Sequence, residues 1–291
     1  MIQQYIQKAD VLLEALPYIQ RFQGEPIVVK FGGSIMDEPD VYRQILMDIV
    51  FMSEVGLRPV VVHGGGKAIS RKMQEQGLKP LFVQGLRVTD AASIKIVDEV
   101  LNGEINQELV DLIRSYNCKA ERVRGNDIIK VRKHTAKDPA TGALMDWGFV
   151  GEVTMADPTG VRALLDQETV PVITPLGTGS DGQLYNVNAD EAAGAIARAL
   201  KARKLVFLSD VPGLLADPKD PSSLIPTLRV AEVKKLIADG VISGGMIPKV
   251  GGALKALEFG IPKVHFIDAH TDHSLLLELF TDQGVGTEIV L

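Results

Sequence analysis

Residues 27–31 (IVVKF) run straight into Gly32-Gly33-Ser34, and residues 59–63 (PVVVH) run straight into Gly64-Gly65-Gly66. Each is a short β-branched run closed by a glycine turn, and each is followed by a longer helical pattern, 41–55 and about 67–76. Strand, tight turn and helix in alternation build a mainly parallel sheet covered by helices. Working outward, 91–116 reads as helix with an interruption at Gly103, while 128–133 and 149–153, about a turn at 138–142, read as a β-hairpin with polar tips. The alternation then resumes. Strand 170–174, Ala-rich helix 189–200 and strand 204–208 lead to helices 230–239 and 249–259. Strand 263–267, a short helix near 273–280 and a last strand 287–290 complete the chain. No linker rich in Gly, Ser or Pro divides it. The expectation is an α/β protein: an open αβα sandwich with a mainly parallel central sheet, preceded by an N-terminal helix, in segments 1–22, 23–180 and 181–291.

The 291 residues include 31 Lys plus Arg against 37 Asp plus Glu, a formal net charge of −6. That lacks the basic excess of a dedicated nucleic-acid binder. A few local lysines still suffice for an anionic small molecule, because screening confines charge effects to short range. A single cysteine, Cys118, excludes an internal disulfide framework and a cysteine-based zinc site. The N-terminus MIQQYIQKADVLLEALPYIQRF lacks the apolar stretch of a signal peptide and the Arg- and Ser-rich composition of a transit peptide. The longest apolar runs, such as 59–62, are too short to span a bilayer, so a soluble, cytoplasmic protein is expected. In the same N-terminal stretch Ile2, Tyr5, Ile6, Ala9, Leu12, Leu13 and Leu16 form one stripe of an amphipathic helix, which Pro17 is expected to kink or end. That helix is not needed to complete a βαβ unit, so its stripe reads as a contact with another subunit or with its own.

Four glycine-rich elements fall at or beside predicted strand ends: 30–34 (KFGGS), 63–66 (HGGG), 209–214 (SDVPGL) and 243–246 (SGGM). Open parallel sheets bind ligands there, and glycine lets backbone N–H groups approach phosphate or carboxylate oxygens. The spacings are neither a Walker A loop nor a dinucleotide fingerprint, and no GxSxG elbow accompanies HGGG. Two lysines beside these turns, Lys30 and Lys249, are what phosphoryl transfer needs along a phosphate chain. In 185–190 (YNVNAD), alternation would point Asn186, Asn188 and Asp190 the same way from one extended segment. One of the three is equally well an N-cap for the helix that follows.

Taken in order, KFGGS at 30–34, HGGGKAIS at 63–70, GLRVT at 85–89, YNVNADEAA at 185–193, SDVPGLL at 209–215 and SGGMIPK at 243–249 resemble the amino acid kinase family. The resemblance spans nearly the whole chain and is strongest to the branch acting on N-acetyl-L-glutamate. It implies an N-lobe, 23–180, for the acyl amino acid and dimerisation, and a C-lobe, 181–291, for ATP. The reaction implied is transfer of the γ-phosphate of ATP to the side-chain carboxylate, giving N-acetyl-L-glutamyl 5-phosphate in arginine biosynthesis. Lys30 and Lys249 would stabilise the transferring group from opposite ends, with Asp190 orienting both. Gly65, Gly66, Arg87, Asn186 and Asn188 would hold the acyl substrate, Arg87 by its planar fork. Gly32, Gly33, Ser209, Asp210, Val211, Pro212, Gly213, Leu214, Val241, Ile242 and Ser243 would contact nucleotide, and 128–153 would form a lid. Mg²⁺ would arrive with ATP, held largely by phosphates and water, with no metal site of the protein's own. A carboxylate acceptor is already ionised at neutral pH and needs no general base, so His63 is assigned to its turn.

The N-terminal helix is similar to that of hexameric relatives inhibited by arginine. The likeness implies an arginine site formed by Tyr18, His273, Glu278, Gly284 and Gly286, and a hexamer of three dimers joined through the helix. It also makes a PII-type signalling protein a partner to be tested. Family members acting on glutamate, aspartate, carbamate or uridylate remain alternatives, as does a non-catalytic amino-acid sensor on the same fold.

Overall fold

The computed structural model describes residues 2–137, 144–217, 220–242, 246–258, 260–282 and 284–291. Helix α1 (Ile2–Phe22) leads into β1 (Pro26–Phe31), α2 (Pro39–Glu54), β2 (Arg58–His63) and α3 (Gly66–Glu75). A small hairpin of β3 (Phe82–Val83) and β4 (Leu86–Arg87) precedes a long helical rod: α4 (Ser93–Asp98), a π-helical stretch Glu99–Ile105 and α5 (Asn106–Ser115). Next come β5 (Ala120–Val123), the turn α6 (Gly125–Ile128), and the antiparallel pair β6 (Ile129–Lys137) and β7 (Leu144–Ala156). Helix α7 (Thr159–Asp166) is followed by β8 (Val170–Ile173), β9 (Leu176–Gly179) and β10 (Leu184–Val187). The remainder holds α8 (Ala189–Leu200), β11 (Lys204–Ser209), β12 (Thr227–Arg229) and α9 (Val230–Ala238). Then α10 (Met246–Glu258), β13 (Lys263–Asp268), α11 (Ser274–Phe280) and β14 (Thr287–Val290) close the chain.

Eight strands form one sheet in the order β12-β14-β13-β11-β1-β2-β8-β5. Every neighbouring pair is parallel except β13 with β14. This is the open, mainly parallel αβα sandwich that the alternation predicts. In β1, Ile27, Val29 and Phe31 enter the core on one face and Val28 enters the core on the other, as the period-two pleat requires. Helices cover both faces, which is why these strands are unbroken β-branched runs. Lys30 stands level with Val62 of β2 and Phe207 of β11. The carboxyl ends of the three central strands therefore open onto one place.

Four features depart from the sequence reading. Helix α1 runs through Pro17 to Phe22. Proline costs it one hydrogen bond, but the last turn is held by buried Phe22 and by Tyr18 Oη donating to Asp282 Oδ1 at 2.7 Å. Gly103 does not interrupt its rod, which widens there into π-helical turns. Residues 185–190 are not one extended segment. Asn186 is in β10, whereas Asn188 caps α8 by accepting from the N–H groups of Asp190 and Glu191 at 2.8 and 3.2 Å. Capturing those orphan amides ends the extended chain. Finally, the expected hairpin is half of a closed four-stranded barrel, β10-β7-β6-β9, and its turn lies outside the described residues.

Candidate active site

The turns after β1 and β2 press against each other. A Cβ on Gly32 would sit 2.8 Å from Gly64 Cα, and Gly64 N–H donates to Phe31 O at 2.8 Å; only glycine permits that approach. Two cavities open beside them and share Lys30, Gly33 and Asp190. The first, about 220 Å³, is lined by Gly65, Gly66, Arg87, Asn186 and Asn188, with Leu101 and Val150 among its apolar walls. The second, about 160 Å³, is lined by Gly32, Ser34, Ser209, Asp210 and Lys249.

At the junction Lys30 Nζ lies 2.6 Å from Asp190 Oδ1, the two side chains 14% and 13% exposed. Asp190 stands in the first turn of α8, whose small residues let α10 pack closely: Gly194 faces Ala256, and Gly252 faces Asp190. Close packing sets Lys249, on α10, against the second cavity. Its Nζ lies 3.2 Å from Asp210 Oδ1, and Ser34 Oγ donates to Asp210 Oδ2 at 2.9 Å. The expectation that Asp190 orients both lysines is therefore corrected. Asp190 holds Lys30, and Asp210, carried up to α10 by the carboxyl end of β11, holds Lys249. Burial alone would raise the Asp210 pKa, but the Ser34 hydrogen bond and the Lys249 charge outweigh it and hold the carboxyl below its usual range.

Arg87 is buried against the first cavity. Its Nη2 donates to Gly66 O at 2.6 Å and to Ser70 Oγ at 2.7 Å, and the guanidinium lies 4.6 Å from the Phe82 ring centroid. Burial lowers its pKa, from an ordinary value so high that it stays charged. His63 is fully buried, with Nδ1 2.9 Å from Gly64 O and Nε2 3.2 Å from Asn106 Nδ2. Burial pushes its pKa down to about 4. It is a neutral member of the turn.

The other described residues read as nucleotide contacts, Val211, Pro212, Gly213, Leu214, Val241 and Ile242, do not line these two cavities. Leu214 is buried and its N–H donates to Thr287 Oγ1 at 2.9 Å. Ile242 is in the core beside half-buried Val241, and Ser243 lies outside the described residues.

A third cavity, about 290 Å³, lies between α1 and the amino ends of β11 and β13, lined by Tyr18, Lys204, His265, Glu278, Gly284 and Gly286. Glu278 is nearly buried, with His265 Nδ1 at 2.6 Å, Lys204 Nζ at 3.5 Å and the Val285 N–H at 3.1 Å. Burial raises its pKa, but the His265 hydrogen bond and the Lys204 charge prevail and lower it. Burial pushes His265 down, and its Nε2 has no partner among the described residues. His273, expected with this group, does not line the cavity; it sits at the start of α11, its Nδ1 2.7 Å from Asp48 Oδ1 of α2. Lys204 and His265 escaped the sequence reading because adjacent strand starts are far apart in the chain.

Sheet, glycine turns and paired lysines define a class. The model of the amino acid kinase family matches residues 25–268, and the chain belongs to that family. Within it the chain groups with the acetylglutamate kinases. It is 47% identical over 290 residues to the acetylglutamate kinase of Heliobacterium modesticaldum, covering 98% of each chain. It is 48% identical over 292 residues to that of Symbiobacterium thermophilum, covering 100% of each. Among solved structures, the N-acetylglutamate synthase of Neisseria gonorrhoeae, complexed with coenzyme A and L-arginine, matches with a TM-score of 0.81 at 27% identity. That match covers 97% of this chain and 65% of the synthase. An isopentenyl phosphate kinase, at 18% identity and a TM-score of 0.64, shares the fold.

Proposed function

We propose that the protein transfers the γ-phosphate of ATP to the side-chain carboxylate of N-acetyl-L-glutamate, giving N-acetyl-L-glutamyl 5-phosphate for arginine biosynthesis. The observation that carries this reading is the meeting of two cavities at the Lys30–Asp190 pair. Arg87 and Asn186 line the acyl side, and Ser209 and Lys249 line the nucleotide side. A carboxylate and a triphosphate repel each other, so catalysis requires cations where they meet. Lys30 stands at that junction and Lys249 on the nucleotide side, so together they bracket the transferring group. Phosphoryl transfer is mostly such positioning and charge stabilisation. The acceptor oxygen is already anionic, and neutral His63 is left to its turn. The glycine turns offer backbone N–H groups to phosphate and carboxylate oxygens. Mg²⁺ accompanies the nucleotide, held chiefly by phosphate oxygens and water.

Control by arginine belongs to the same proposal. In the third cavity Glu278 supplies a carboxylate for a guanidinium, held in place by His265 and Lys204. The synthase relative's complex with L-arginine supports the choice of ligand. Along α1, Ile2, Tyr5, Ile6, Leu12, Leu13 and Leu16 are all exposed, and burying that stripe against another copy would link dimers into a hexamer. A PII-type signalling protein is the remaining partner to test. No described helix is long and apolar enough to cross a membrane, and the proposed site of action is the cytoplasm.

Relative kcat/KM for N-acetylglutamate, glutamate and aspartate tests the substrate. A preference of about 10²-fold or more for N-acetylglutamate is expected, since a site built to hydrogen-bond a substrate group rejects a molecule lacking it by up to about 10⁵-fold. Equal values for glutamate or aspartate would overturn it. Binding without ADP release would favour the sensor.

A further inference from the structure

Thr89 closes the GLRVT stretch and is wholly buried. Every polar group it has is engaged. Its N–H donates to Trp147 O at 2.9 Å, and its carbonyl accepts from the Phe149 N–H at 2.6 Å, so it is stitched to β7 on both sides of Gly148. Gly148 has φ 73°, and a Cβ there would run into the Thr89 carbonyl; glycine alone fits that crossing. The Thr89 hydroxyl reaches the other way. It donates to Arg87 O at 3.0 Å and accepts from Asn186 Nδ2 at 3.3 Å. Both of those residues line the first cavity. Trp147, the only tryptophan, extends the same frame: it is buried, and its Nε1 donates at 3.1 Å to the carbonyl of Val83, in the strand paired with that of Arg87.

We infer that Thr89 is a positioning residue for the acyl substrate, one hydroxyl fixing the Arg87 main chain and the Asn186 amide in a common frame tied to β7. The inference rests on reading the first cavity as the acyl side. Valine keeps the shape but leaves a buried carbonyl and a side-chain amide without this partner, whereas serine keeps the hydroxyl.

The full-length enzyme with Thr89→Val, Thr89→Ser and Trp147→Phe tests it. Thr89→Val should raise the KM for N-acetylglutamate about tenfold, with kcat and the KM for ATP within about twofold of wild type. Thr89→Ser should restore all three. Trp147→Phe keeps a ring but loses the bond to Val83, and should raise the same KM about threefold. In wild type and Thr89→Ser, N-acetylglutamate should change the Trp147 emission at its half-saturating concentration. A wild-type KM in Thr89→Val, equal damage in Thr89→Ser, or parallel changes in kcat and both KM values would overturn the role. If Thr89→Val does not fold, Trp147→Phe with an unchanged KM overturns it. Wild-type turnover is the separate control. Its absence defeats the reading of the cavity, and its presence beside unaffected variants defeats only Thr89.

Discussion

The two ends of β11 both carry lysines and carboxylates, about 17 Å apart along a six-residue strand, yet they are built in opposite senses. At the carboxyl end, Asp190 and Asp210 hold Lys30 and Lys249 against cavities bordered by glycine turns. At the amino end, Lys204 and His265 hold Glu278 against a cavity roofed by α1. In one place carboxylates present cations; in the other, basic groups present a carboxylate. The first suits an anionic ligand and the second, on the reading proposed above, a guanidinium, although the residue types are nearly the same. What a charge cluster can bind follows from which member faces the open space.

Removing either presented cation is the harshest way to break this contrast. Lys30→Ala or Lys249→Ala should lower kcat by roughly 10²–10³, the scale of one lost electrostatic group in a transition state, with the KM for ATP moving far less. Near-normal kcat in both variants would take these lysines out of the chemistry. At the other end, a chain lacking residues 1–20 keeps Phe22 in the core but loses Tyr18 from the third cavity. Its arginine concentration for half-inhibition should rise about 100-fold, near the upper range of allosteric coupling, and its sedimentation should fall to that of dimers. A truncated enzyme that stays hexameric and arginine-sensitive would deny α1 both roles.

The smallest effect sharpens the difference between two buried histidines. His265 leans on a carboxylate, whereas His63 has only Gly64 O and the Asn106 amide. His63 titrates at about 4 when folded and near 6.5 when unfolded, so the unfolded chain binds the proton more tightly. Stability from this group is complete above about pH 6.5 and drains away as pH falls toward 4, by about 2 kcal/mol at pH 5. Urea unfolding at pH 7 and pH 5 should therefore show a larger acid loss in wild type than in His63→Gln, by about that amount. Equal losses in the two proteins would show that His63 is not held neutral.

The central strands were legible because burial on both faces demands β-branched runs, and helix 189–200 because an Ala-rich stretch follows an Asn cap. Strands β5 (AERV) and β9 (LGTG) were not: four residues with charge or glycine carry no usable period. Lys30 and Lys249 could be read from their glycine turns, and the family resemblance supplied Asp190 for Lys30, but the partner of Lys249 could not be read. Which aspartate meets Lys249 depends on how closely α8 and α10 approach, a tertiary distance. His273 came from the resemblance alone, and the fold turns its imidazole to Asp48 of α2, a contact across 225 residues that no local pattern shows. Thr89 was invisible as a site residue because its importance lies in four hydrogen bonds, to segments as distant as 97 residues.

Pro17 gives α1 a mechanical property. Its nitrogen has no hydrogen to offer the Leu13 carbonyl, so the helix is most easily bent there. On one side of that joint the chain is anchored by Tyr18 on Asp282 and by buried Phe22. On the other, residues 2–16 form an arm about 22 Å long. Turning the joint by about 5° swings the tip of such an arm by about 2 Å. A shift too small to disturb the anchored turn thus arrives at the far end geared up to the size of a side-chain contact, enough to bring an apolar stripe into register with its neighbour or carry it out.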